Sequence, residues 1–151
     1  MLKILKSQSS KKARLSAARL AAAQAVYQMM GNEQTAGSVI AEFKDRRIGK
    51  PVDGQAMVVP EEDLFNDIVQ GVEDKRKDLE AVIIAPGQAI PAEPLLRAIM
   101  LCATWELMAR TDVDVPVIIS DYLHVTHAFF DQGEAKLING TLDRVAKTVR
   151  Q

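Results

Sequence analysis

Two groups of residues in this 151-residue chain carry side chains suited to gripping an anionic strand. The first is Lys11, Lys12, Arg14 and Arg19, followed by Tyr27. Cations of this kind hold phosphates, and a ring or guanidinium plane offers a face for an unstacked base. The second is Lys136 with Asn139, close to the carboxyl end. A solvated helix face accounts for each of these residues taken singly, so the argument rests on their grouping. A third set, Asp121, His124 and His127, falls at steps of three, which on a helix brings them near one face and suggests a divalent metal. No second ligand cluster accompanies it, and histidines that cap or face solvent are the simpler expectation; no metal and no cofactor is assigned. Catalytic signatures are missing as well. There is no Gly-rich phosphate loop, no nucleophile elbow and no Cys–His arrangement with supporting context, so binding rather than enzymatic chemistry is expected. Glu61-Glu62-Asp63 fits the positive end of a helix better than a pair of catalytic carboxylates.

The elements that must position these residues read as helices. From about Lys12 to Met30, apolar residues recur at Leu15, Ala18, Ala22, Ala25, Val26 and Met29, the three-and-four spacing of an amphipathic helix ending at Gly31-Asn32. At ~100° per residue, Lys12, Ser16, Arg19, Ala23 and Tyr27 fall within an arc of about 80° beside that stripe, a basic strip closed by an aromatic ring. A shorter helix is predicted from Thr35 to about Phe43. Residues 44–60 mix charge with Gly49, Pro51, Gly54 and Pro60 and read as a long, exposed, mobile loop. The acids at 61–63 open a helix with Phe65, Ile68, Val72, Leu79, Val82 and Ile83 inward, stopped by Pro86-Gly87. Glu93-Pro94 starts another, apolar on nearly all sides from Leu95 to Met108, which belongs at the centre. Asp114, a capping acid, and Pro116 lead into a helix carrying Ile118, Tyr122 and Val125. The last helix runs from Glu134 to about Arg150, with Leu137, Ile138, Leu142, Val145 and Val149 inward and Lys136, Asn139, Arg144, Lys147 and Arg150 outward. Gly140 in its middle suggests close approach of another backbone or of a partner.

Composition agrees. Aromatic residues make up only 5% of the chain, which favours packed helices over aromatic-rich sheets, and no repeat or internal boundary is visible. The expectation is one all-α domain over 1–151, a single helical bundle of about six to seven helices. Lys+Arg number 19 against Asp+Glu 20, a formal net charge of -1, so any nucleic-acid site has to be local. The one cysteine, Cys102, sits in an apolar run and reads as a core filler in a reducing cytoplasm. The start of the chain is too poor in apolar residues for a signal peptide, and no stretch approaches the ~20 apolar residues of a membrane span.

Several of these landmarks resemble one family. Arg19-Leu20-Ala21-Ala22-Ala23-Gln24-Ala25-Val26-Tyr27-Gln28 looks like the first-helix signature of the NusB family. Lys136-Leu137-Ile138-Asn139-Gly140-Thr141-Leu142-Asp143 is similar to its C-terminal motif. Between them, Phe65 to Gly71-Val72 and Leu96-Arg97-Ala98 with Trp105-Glu106-Leu107 match its third and central helices in order and spacing. The chain departs from the family in a thinner basic run before Arg19, in Ser120-Asp121 for an Asn-Glu step, in His127 for a lysine, in Leu137 for an aromatic residue and in Gly133 for an acid.

The resemblance implies an all-α fold and a transcription antitermination factor. Such a factor binds boxA-type single-stranded RNA together with NusE, a ribosomal protein, and joins the RNA polymerase elongation complex to support ribosomal RNA transcription. Lys11, Lys12, Arg14, Arg19, Tyr27, Lys136 and Asn139 are then the expected RNA-binding residues. The departures keep two other readings in view: a protein-binding scaffold of the same fold without RNA binding, and an accessory module related to that of RNA cytosine methyltransferases. Monomer and homodimer both remain open.

Overall fold

The computed structural model describes residues 10–46, 58–84 and 89–150, and within them the chain forms six α-helices and no strand. The expected stop at Pro86-Gly87 and most of the 44–60 loop lie outside the described residues. Helix α1 spans Lys11–Asn32, α2 Ala36–Arg46, α3 Glu62–Ile83, α4 Pro94–Ala109, α5 Val115–His127 and α6 Gln132–Val149. Helix α2 thus continues three residues past the predicted Phe43, and α6 begins before Gly133 rather than after it.

Local chemistry sets most of these ends. Ser10 caps α1, its hydroxyl accepting from the Ala13 N–H at 3.0 Å. The other end of α1 runs through Gly31 and Asn32 and turns at Glu33, whose φ of 52° is left-handed, a conformation glycine would adopt more easily. Thr35 caps α2 by accepting from Ser38 N–H, and Glu73 reaches across from α3 to accept from Ala36 N–H at 2.7 Å. Glu61 caps α3 through Leu64 N–H, while its own N–H donates to the Arg14 carbonyl and ties α3 to the start of α1. Glu93 accepts from both Leu95 and Leu96 N–H ahead of Pro94. Asp114 occupies the cap position of α5, but its side chain makes no capping hydrogen bond.

Helix α4 is the centre, as its all-round apolar pattern requires. Ala98 through Thr104 are buried without a break, and the helix packs against α1, α3, α5 and α6. Helix α1 meets this core through Ala18, Ala22, Ala23 and Ala25, small side chains that let the two backbones draw together. Helices α2 and α3 close one flank, where the rings of Phe43 and Phe65 stack at 5.6 Å. Gly71 of α3 faces the Trp105 indole so closely that a Cβ there would lie 2.0 Å from its Nε1, so only glycine fits. Helix α6 packs on α3, α4 and α5 and makes no contact with α1.

Two outward assignments on α6 are corrected. Arg144 donates to the carbonyls of Val82 and Ile83 at the end of α3. Arg150 donates to those of Leu107, Arg110 and Val113, at 2.7, 2.8 and 2.7 Å. Arg144 at the end of α3 and Arg150 at Leu107 satisfy carbonyls that a helix leaves orphaned at its C-terminus, and Arg150 also ties down the connection that follows α4. Leu137, expected inside, is 47% exposed because it lies on the solvent side of the turn occupied by the buried Ile138. Among the described residues outside its own helix turn, no atom lies within 4 Å of a Cβ at Gly140, so no close backbone is found there.

Candidate nucleic-acid interface

The basic strip of α1 divides in two. Lys11 and Lys12, in its first turn, are exposed. From Ser16 to Ala23 the same arc turns into the protein, because α4 and α5 cover it: Arg19 is 3% exposed and Ala23 is fully buried. Arg19 donates through Nε and Nη2 to both carboxylate oxygens of Glu106, at 2.7 and 2.9 Å, and through Nη1 to Asp121 at 2.8 Å. Glu106 also accepts from the Tyr122 hydroxyl at 2.6 Å and from Arg110 at 3.1 Å, and Asp121 accepts from Ser16 at 2.7 Å. Two arginines and two carboxylates balance, so the cluster is neutral, and both oxygens of the buried Glu106 are engaged.

Its electrostatics follow from burial and pairing. Burial alone would pull the Arg19 guanidinium down; the hydrogen bonds and charge of Glu106 outweigh it and hold Arg19 more firmly protonated than an ordinary arginine. Burial and the Glu106 charge push the Tyr122 hydroxyl and the Cys102 thiol well above their ordinary values. Arg19 therefore spends its donors inside the fold, and the expectation that it contacts phosphate does not fit its position.

Above this cluster lies a groove of about 760 Å³ between the first turns of α1 and the outer face of α5. Its rim carries Lys11, Lys12, Arg110 and His124, its walls Leu15, Val113, Pro116 and Val117, and its floor Ser16, Arg19 and Asp121. Cationic edges over apolar walls suit a ligand with charged links and flat faces. The other expected site residues stand apart. Arg14 adjoins the start of α3 through its carbonyl, and its side chain is engaged. Tyr27, 47% exposed, is fifteen residues beyond Lys12, roughly 22 Å along the helix axis. Lys136 and Asn139 are exposed on α6, where Lys136 borders a separate shallow groove with Leu137, Gly140 and Arg144.

Sequence reasoning missed Glu106, Asp121 as an acceptor, and Arg110. Glu106 was detectable: a lone acid inside an otherwise apolar central helix requires a buried cation. Asp121, His124 and His127 do not converge as ligands, and no group of three potential ligands capable of holding a metal occurs among the described residues. No described helix is long and apolar enough to cross a membrane.

Comparison with known proteins agrees with this architecture. The chain is 39% identical over 147 residues to the transcription antitermination protein NusB of Novosphingobium aromaticivorans, covering 95% of this chain and 99% of that one. It is 38% identical over 141 residues to the protein of the same name from Sinorhizobium medicae, covering 89% and 86%. The structure of T. maritima NusB superposes with a TM-score of 0.71 over 93% of each chain at 16% identity, a likeness of fold. The NusB family model matches residues 16–147, from the floor of the groove to the last turns of α6, and the chain belongs to the NusB family.

Proposed function

We propose that this protein is a cytoplasmic transcription antitermination factor that binds boxA-type single-stranded RNA together with NusE and joins the RNA polymerase elongation complex. Its relatives at 39% and 38% identity carry the antitermination name over nearly their whole length. The observation that carries the RNA reading is the groove at the start of α1, where Lys11 and Lys12 stand exposed over apolar walls in a chain of net charge -1. The protein acts by binding: Glu106, behind the groove, is committed to Arg19, Arg110 and Tyr122, and Asp121 is held in place by Arg19 and Ser16.

A few lysine contacts give modest affinity with a salt slope of about 0.7 per phosphate. A partner that extends the surface strengthens that grip, and NusE fills that role. Tyr27, Lys136 and Asn139 lie beyond the groove and serve a longer strand or that partner. The test is binding of a boxA-like RNA with and without NusE at two salt concentrations. Cooperative, salt-sensitive capture is expected. Binding of NusE without any RNA-dependent gain would overturn the reading in favour of a protein-only scaffold.

A further inference from the structure

The groove is cationic at its edge, and at its base the Asp121 carboxylate is paired with Arg19. Asp121 is 12% exposed and reaches the floor, where Ser16 occupies one carboxylate oxygen and Arg19 the other. A carboxylate offers about four lone-pair sites, so about two remain, one on each oxygen. Asp121 is also held in place: two partners from α1 fix its orientation, as an acceptor used for recognition requires.

This arrangement sorts the parts of a nucleic acid. A phosphate on the floor would find the Arg19 charge already paired with Asp121 and would leave the lysines unused, whereas phosphates along the rim meet Lys11 and Lys12. A strand therefore lies with its bases turned inward against Val117, Pro116 and Leu15. The paired acceptors of Asp121 then discriminate among base edges. Guanine alone presents two adjacent N–H donors, N1–H and the N2 amino group, on its Watson–Crick edge. Adenine and cytosine place an acceptor beside their amino group, and uracil flanks its single N–H with two carbonyls.

We propose that the groove of this protein is a guanine-reading site, with Asp121 accepting from N1–H and N2–H while Lys11 and Lys12 hold the flanking phosphates. The proposal rests on the RNA reading above and adds to it a base, an acceptor and a strand orientation. No other residue on the floor supplies free paired acceptors, since Glu106 lies behind Arg19 with its oxygens taken by Arg19, Arg110 and Tyr122.

The test measures binding of the full chain to fluorescent uridine nonamers carrying one central guanosine, inosine or adenosine, or uridine throughout. Wild-type protein should bind the guanosine oligomer on the order of tenfold tighter than the adenosine or uridine ones, with inosine, which lacks the N2 amino group, between. In Asp121→Asn the guanosine preference over adenosine and uridine should fall to about twofold or less. Equal affinity for all four wild-type pairings, with a salt slope intact, overturns the base assignment and leaves the RNA reading standing. So does a guanosine preference that survives in Asp121→Asn. No binding of any oligomer overturns both. The wild-type comparison of guanosine with inosine decides the matter even if the variant fails to fold.

Discussion

Lys12 and Arg19 stand two turns apart on nearly the same line of α1, and they do opposite work. Lys12 ends in solvent at the rim of the groove, and Arg19 ends in a buried cage of Glu106, Asp121 and Tyr122. The split follows side-chain chemistry as well as position. A guanidinium presents a planar fork of five donors that two carboxylates can saturate, whereas an ammonium is a compact, strongly hydrated charge that costs more to bury. The same division recurs on α6, where Arg144 and Arg150 close the ends of α3 and α4 while Lys136 and Lys147 remain exposed. In this fold Arg19, Arg144 and Arg150 hold helices together, while the lysines at the start of α1 stay in solvent, where the proposed RNA would meet them.

That contrast can be broken most severely at Arg19. Arg19→Ala leaves the Glu106 carboxylate buried without its main partner, and a loss of about 3–5 kcal/mol is expected in chemical denaturation, a large part of a typical domain's stability. A loss below about 1 kcal/mol would mean the cage contributes little. Gly71→Ala tests the packing beside the cage rather than its charge. The added methyl must displace the Trp105 ring, which should cost about 1–3 kcal/mol and shift the emission of the chain's one tryptophan. Arg150→Ala removes a donor from the carbonyls of Leu107, Arg110 and Val113, of which Arg110 keeps the Val113 N–H, and a smaller cost of about 1–2 kcal/mol is expected from the thermal midpoint.

The helices themselves were legible in the residue pattern, because alanine and leucine spacing at three and four leaves little choice of element. The central place of α4 followed from its lack of a polar face. What the pattern concealed was the side of the basic strip. A helical arc treats every arginine as outward, and the partners that reverse Arg19 lie 87 and 102 residues away in sequence. The lone Glu106 among apolar neighbours was the available sign of a buried cation. Gly71 gave no comparable sign, since its need for glycine comes from an indole on another helix. Leu137 misleads for the opposite reason: an apolar side chain next to the buried Ile138 patterns with the core although it belongs to the surface.

The central claim is that binding resides in the exposed lysines and stability in the buried arginine of one helix. Its most direct measurement is the pair Lys11→Glu and Lys12→Glu made together, read for RNA capture with NusE across a salt series and for the unfolding free energy. The expected result is a stability within about 0.5 kcal/mol of wild type, as for surface changes generally, with capture lost or weakened at least about tenfold and a shallower salt slope. Undiminished RNA capture by a stably folded double variant would contradict it.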